Sequence, residues 1–208
     1  MKGWPTRLAR FAPLTGILFA ILVAVGFTIA PDAAASNATP DAVRSFAIAN
    51  GQQGQISDSL WILGCVFLLF FAGSLHSALR SATTLSVLLV AGAAIMVAGG
   101  GVYFGFDAAL GMNAQSLSPD AAQTLNILAL SLGFPLGAGG LVFGLTSGLA
   151  IWRTSVLPKW LGVAAIIIGL ILVSPLALFG ILILGLWAIV TSILLVLRTP
   201  VPDRLPAI

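Results

Sequence analysis

The sequence predicts an all-α fold, a polytopic bundle of six transmembrane helices, and three observations support this prediction. Of 208 residues, 59% are hydrophobic and only 7% are charged, with a mean hydropathy of +1.12, whereas soluble domains carry about 25% charged residues. The apolar runs suit helices that cross a hydrocarbon core of roughly 30 Å, rather than the alternating strands of a barrel. The basic residues are scattered at the ends of these runs, which is typical of topology signals and not of a nucleic-acid surface.

The whole chain, residues 1–208, is interpreted as one transmembrane domain. The first apolar run, residues 11–30, is either the first span or the apolar region of a signal peptide cleaved after Ala33-x-Ala35. It exceeds the usual length of about 7–15 residues for such a region, which favours a span. The six predicted spans are residues 11–30, 59–79, 85–106, 122–152, 160–174 and 177–197.

The polar segment between the first two spans, residues 31–58, is predicted to form an outer loop with a short surface helix. Thr39-Pro40-Asp41 combines a hydroxyl cap, a proline at the first helical position and an acid in the first turn. Gly51 offers a stop for this helix. We therefore expect a short helix resting on the membrane surface.

The fourth predicted helix is the longest, and we expect it to be kinked. It begins at Ser118-Pro119-Asp120 and would reach Arg153 after about 50 Å. Pro135 cannot donate a backbone hydrogen bond, so the kink is predicted there. Interrupted helices in transporters expose carbonyl groups at binding sites, which makes Ser131, Pro135 and Asn126 candidate ligand-binding residues. A kink that only shapes the helix is the alternative.

Glycines after this predicted kink recur every four residues. Gly140, Gly144 and Gly148 would form a flat stripe along one helix face. Small residues at this spacing let neighbouring helices approach closely in a membrane. We therefore predict that this stripe is a helix-packing face at the hub of the bundle.

The distribution of charge predicts that both termini are cytoplasmic. With this orientation, every basic residue except Arg44 lies on the inner side, and every acid except Asp203 lies on the outer side. Several polar groups on the predicted outer side are interpreted either as a weak cation site or as solvated acids and helix caps. They are Asp58, Asp107 and Asp120, with Gln115 and Gln123.

No set of residues predicts catalysis, a metal or a cofactor. His76 is the only histidine, and Cys65 lies too far along the same predicted helix to share an ion with it. The stretch around Ser147 is similar to the serine motif of rhomboid proteases, but the late helices supply no histidine to activate the hydroxyl. No carboxylate falls in the middle of a predicted span, where ion-coupled transporters usually place one.

Three segments carry a resemblance to a known family. They are Pro40-Asp41-Ala42-Val43 with Phe46, Leu79-Arg80, and Trp152-Arg153-x-x-x-Leu157-Pro158-Lys159-Trp160-Leu161-Gly162. The chain resembles an uncharacterised family of small bacterial integral membrane proteins, common in actinobacteria. The resemblance covers most of the chain and implies a six-helix, multi-pass protein of the bacterial plasma membrane, without a catalytic residue.

The expected function is therefore that of a non-enzymatic membrane protein. It would pack with a second copy or a membrane partner, or bind a lipid-like ligand. The alternative is a small permease with its site at the Pro135 break. The lipid bilayer is an expected partner, and nucleic acid is not.

Overall fold

The computed structural model describes residues 11–31, 37–131 and 133–198, and this part of the chain is helical without a strand. The basic start of the chain, Ala33-x-Ala35 and the tail after Arg198 lie outside the described residues. A 3-10 turn at Ala12–Leu14 precedes seven α-helices, which are α1 (Thr15–Ile29), α2 (Pro40–Ala78), α3 (Thr83–Asn113), α4 (Pro119–Ser131), α5 (Gly133–Thr154), α6 (Lys159–Leu172) and α7 (Ala177–Arg198).

Five helical stretches are long and apolar enough to cross a membrane, which makes this a multi-pass membrane protein. Helices α4 and α5 count together as one of them. Helix α6 is shorter, with 14 residues, and spans about 21 Å at 1.5 Å per residue. The five stretches are Ala12–Ile29, Pro40–Ala78, Thr83–Asn113, Pro119–Thr154 and Ala177–Arg198.

Six of the helices form a closed ring. Helix α1 packs against α2, α2 against α3, α3 against α5, α5 against α6, α6 against α7, and α7 against α1. Helix α4 lies outside this ring and contacts α2 and α3. Helix α2 begins and α3 finishes at the same side of the ring, which we call the acidic end after Asp58 and Asp107. The opposite end is the basic end, after Arg80 and Arg153.

Three aromatic side chains from alternate helices fill the centre of the ring. Trp187 of α7 meets Phe71 of α2 and Phe143 of α5 edge to face, with ring centroids 6.0 and 6.1 Å apart. The Trp187 indole N–H also donates to the Leu161 carbonyl of α6 at 2.9 Å. Because such ring pairs add about 0.5–1.5 kcal/mol beyond burial, this aromatic triad ties four helices together.

Close contacts between backbones hold neighbouring helices of the ring together. The glycines of the predicted packing stripe, Gly140, Gly144 and Gly148, are buried and face α6. A Cβ atom on Gly144 would lie 2.5 Å from the Ala165 carbonyl oxygen and 2.8 Å from the Gly169 Cα atom. Lipid tails are as apolar as leucine, so helices in a membrane depend on close packing of this kind.

Helix α2 begins as the sequence predicts but does not stop at Gly51. The Thr39 hydroxyl caps it by accepting the Ala42 N–H at 3.4 Å. The helix then continues through Gly51 as one element of 39 residues, and no separate surface helix forms. A Cβ atom on Gly51 would lie 2.6 Å from the Gly111 carbonyl oxygen of α3. Gly51 therefore serves close packing between α2 and α3, and this contact supports the helix where a stop was expected.

Candidate functional site

The break predicted next to Pro135 adjoins a residue that the structure does not describe. Helix α4 ends at Ser131 and α5 begins at Gly133, and Leu132 between them lies outside the described residues. Ser131 and Pro135 are both exposed. The Ser131 hydroxyl donates to the Ile127 carbonyl of its own helix at 2.8 Å, so this hydroxyl is already occupied.

Asn126 lies on a different side of α4 from Ser131. It shares a helix face with Ala122 and Ala129, which are both buried. Its Nδ2 atom is buried without a hydrogen-bond partner. Of the three residues predicted around the break, Asn126 alone points a free polar group toward the bundle.

The other residues considered for chemistry lie apart from one another. Ser147 is fully buried in α5, and its hydroxyl has no hydrogen-bond partner. His76 and Cys65 both lie on α2. Within the described residues, no three His, Cys, Asp or Glu side chains converge to hold a metal.

A groove of about 300 Å³ opens at the basic end of the bundle. It lies between the turn that joins α2 to α3 and the last turn of α5. Two segments line it: Ser81, Ala82, Thr83, Thr84 and Leu85 on one side, and Arg153 and Thr154 on the other. We call it the basic-end groove.

The start of α3 gives this groove free backbone donors. Ala82 occupies the cap position and has no side chain that can accept a hydrogen bond. The first helical bond runs from the Ser86 N–H to the Ala82 carbonyl at 2.9 Å. The N–H groups of Thr83, Thr84 and Leu85 precede this first bonded donor and therefore have no acceptor within the helix. Such free N–H groups, with the positive end of the helix dipole, favour an anion.

Arg153 gives the groove a positive charge. It is exposed in the last turn of α5, and no carboxylate among the described residues forms a salt bridge with it. The neighbouring Trp152 indole N–H donates to the Lys159 carbonyl at 3.1 Å, which ties the end of α5 to the start of α6. Arg198, by contrast, donates to the Val156 carbonyl. Arg153 thus supplies a free positive charge to the lining of this groove.

The donors of the groove suit the oxygens of a phosphate group. A guanidinium makes strong, charge-assisted hydrogen bonds to phosphate, and helix starts bind the same oxygens through the backbone. The sequence predicted Arg153 only as a topology signal. It could not predict the groove, because residues 81–85 become neighbours of Arg153 only when α3 packs beside α5.

Comparisons with protein-family models, with curated proteins and with solved structures give no match to this chain.

Proposed function

We propose that the protein is a non-enzymatic, lipid-binding membrane protein whose basic-end groove holds the phosphate headgroup of an anionic lipid. The observation that carries this proposal is the convergence of Arg153 and the uncapped start of α3 on one concave surface. Basic pockets between transmembrane helices are typical sites for anionic headgroups on the cytoplasmic side of a membrane.

The surface beside the groove fits a lipid better than a free phosphate. Leu88 lies one turn from Thr84 along α3, and Leu149 lies one turn from Arg153 along α5; both leucines are exposed. A headgroup in the groove would therefore have its acyl chains against an apolar helix surface. Trp152 and Trp160 are also exposed nearby, and tryptophan is enriched at the headgroup layer.

The proposal includes an orientation in the membrane. The basic end faces the cytoplasm of a bacterial cell, the acidic end faces outward, and α6 completes six spans. The charge distribution supports this orientation, because Arg80, Arg153, Lys159 and Arg198 all lie at the basic end.

Cysteine labelling tests this orientation. A Ser155→Cys variant, made with Cys65→Ala, should resist an impermeant thiol reagent in intact cells and react after permeabilisation, because Ser155 is exposed at the basic end. Ser116→Cys is the matched control, since Ser116 is exposed in the turn between α3 and α4, and it should react in intact cells. Labelling of Ser155→Cys without permeabilisation would reverse the proposed orientation.

Lipid-dependent stability tests the groove itself. Detergent micelles doped with phosphatidylglycerol should raise the melting temperature of the wild type above that in micelles doped with phosphatidylcholine. A ligand at 100 times its Kd stabilises a folded protein by about 2.7 kcal/mol. Arg153→Gln should lose at least half of the shift, because a tenfold weaker affinity removes about 1.4 kcal/mol.

Lys159→Gln provides the control for this measurement. Lys159 has the same charge and is exposed at the start of α6, but it does not line the groove. It should keep the phosphatidylglycerol shift of the wild type. If Arg153→Gln and Lys159→Gln lost equal parts of this melting-temperature shift, the lipid would be attracted by the overall positive charge of the basic end and not bound in the groove.

The described contacts around Pro135 give no comparable support to a permease. The Ser131 hydroxyl is bonded within its own helix, and Ser131 and Pro135 are exposed. A permease site at this break stays a prediction of the sequence.

A further inference from the structure

A carboxylate lies inside the bundle near the acidic end without a hydrogen-bond donor. Asp58 of α2 is only 5% exposed, and its Oδ2 atom is buried without a partner. The adjacent Ser57 hydroxyl, by contrast, donates to the Gly26 carbonyl of α1 at 3.0 Å. An ionised carboxylate is costly to bury unless a donor or a cation compensates its charge. An ionised Asp58 would therefore be uncompensated by a hydrogen bond, whereas the sequence placed it among the acids of an outer loop.

A second carboxylate and a phenol share this layer of the bundle. Asp58 precedes Trp61 of α2 by one turn, and Asp107 follows Phe104 of α3 by one turn. Because α2 and α3 run in opposite directions and pack together, the two acids lie at one level, and the Tyr103 ring meets the Phe104 ring edge to face with centroids 5.0 Å apart. One turn deeper, Trp61 of α2 stacks on Phe104 of α3, with ring centroids 5.2 Å apart. These stacked rings lie next to the two acids, on the side toward the basic end. We call Asp58 and Asp107 the carboxylate pair.

Helix α4 covers the carboxylate pair from outside the ring. Ala122 of α4 belongs to the same apolar cluster as Leu110 of α3. Asn126 lies one turn after Ala122, and Asp107 lies one turn before Leu110. Because α3 and α4 run in opposite directions, Asn126 and Asp107 lie at similar depth. The free Nδ2 group of Asn126 is therefore a donor at the level of the carboxylate pair.

No cationic side chain among the described residues compensates the carboxylate pair. The nearest cation on α2, Arg44, lies about 21 Å along the helix from Asp58. Its guanidinium donates to the Ala114 and Gln115 carbonyls at 3.0 and 2.8 Å. The segment of α1 that packs here is uncharged, and α4 adds the neutral Gln123, whose Oε1 is buried without a partner. The remaining described acids of this end, in the first turns of α2 and α4, are exposed: Asp41 and Asp120.

We propose that the carboxylate pair is a proton-binding site in which Asp58 and Asp107 share one proton. One carboxylate takes up a proton from hydronium in the solvent: an O–H bond of hydronium breaks and leaves water, and a new O–H bond forms at the carboxyl oxygen. The protonated acid then donates to the other carboxylate. One shared proton relieves the repulsion between two neighbouring carboxylates and gives the Asp58 carboxyl the hydrogen-bond partner that it lacks. Asn126 then donates to the carboxylate that stays ionised. This proposal is independent of lipid binding at the basic-end groove.

Two features favour a proton over a metal ion at the carboxylate pair. The pair offers only two acids, and the described residues contain no group of three side chains of the kind that holds a metal. Tyr103 adds a hydroxyl, which hydrogen-bonds readily but is a neutral ligand at ordinary pH. A shared proton needs only two oxygens, whereas Ca²⁺ takes six to eight oxygen ligands, most of which the protein usually supplies.

Infrared spectroscopy of the purified full-length protein at neutral pH tests this proposal. The wild type should show the C=O stretch of a protonated carboxyl group, which shifts when H₂O is replaced by D₂O. Asp58→Asn should lose this band. Asp107→Asn should keep it at a shifted frequency, because a neutral amide oxygen replaces the charged acceptor of the Asp58 carboxyl. Asp41→Asn is the control, since Asp41 is exposed in the first turn of α2, and it should keep the wild-type band.

Two results would overturn the proton-binding site. One is a wild-type spectrum without a protonated carboxyl band at neutral pH, or with a band that survives unchanged in both Asp58→Asn and Asp107→Asn. The other concerns the melting temperature in two salts at equal ionic strength. If sodium chloride raised the melting temperature of the wild type and choline chloride did not, and if Asp58→Asn showed no such difference, the proposal would be wrong. That second result would assign the carboxylate pair to a metal cation.

Discussion

Replacing Gly144 with leucine is expected to lower the free energy of unfolding by more than about 3 kcal/mol, above the usual cost of overpacking a core. The first added atom, Cβ, would already lie 2.5 Å from the Ala165 carbonyl oxygen and 2.8 Å from the Gly169 Cα atom. Both neighbours are backbone atoms of α6, which cannot rotate aside as a side chain can. The two helices must therefore separate, and unfolding by heat or by a denaturing detergent measures the loss.

Gly105→Leu provides the control for that substitution. A Cβ atom on Gly105 of α3 would meet nothing within 4 Å. Glycine is a worse helix former than alanine by about 0.8–1 kcal/mol, and leucine ranks close to alanine. Stability should therefore stay equal or rise. If Gly144→Leu melted at the wild-type temperature, the close contact between α5 and α6 would be wrong, and Gly144 would face lipid.

Trp187→Ala is expected to cost about 3–5 kcal/mol, the range for removing a large aromatic side chain from a core. It deletes the ring that meets both Phe71 and Phe143 and removes the indole N–H that donates to the Leu161 carbonyl. Trp160→Ala is the control, because Trp160 is 58% exposed and surface substitutions usually stay within about 0.5 kcal/mol. Equal melting temperatures for the two variants would contradict an aromatic triad at the centre of the ring.

The class of the fold could be predicted from the sequence because it depends on local properties. Long apolar runs predict helices that span a membrane, and five such stretches are confirmed. The start of α2 follows from Thr39-Pro40, since a hydroxyl cap and a proline act on the adjacent turn of backbone. The predicted end of that helix at Gly51 was wrong, because Gly51 packs on Gly111 of α3 and the helix continues.

The sites could not be predicted because they depend on which helices become neighbours. A helix in a lipid environment is apolar on all sides, so its pattern does not separate the face in the core from the face in lipid. From the sequence, Asp58 is predicted to be an acid of an outer loop. In the structure, α2 continues past Gly51 and packs against α3 and α4, so Asp58 is a buried residue of a helix. Likewise, Arg153 and Thr84 are far apart in sequence and line one groove only in the folded ring.

Native mass spectrometry of the protein released gently from its membrane tests the proposed function most directly. The wild type and Lys159→Gln should each retain an anionic phospholipid. Arg153→Gln should retain at least tenfold less, because the groove loses its charged donor while its backbone donors remain. Wild-type protein that carries no anionic phospholipid, or equal retention by Arg153→Gln and Lys159→Gln, would contradict lipid binding at the basic-end groove.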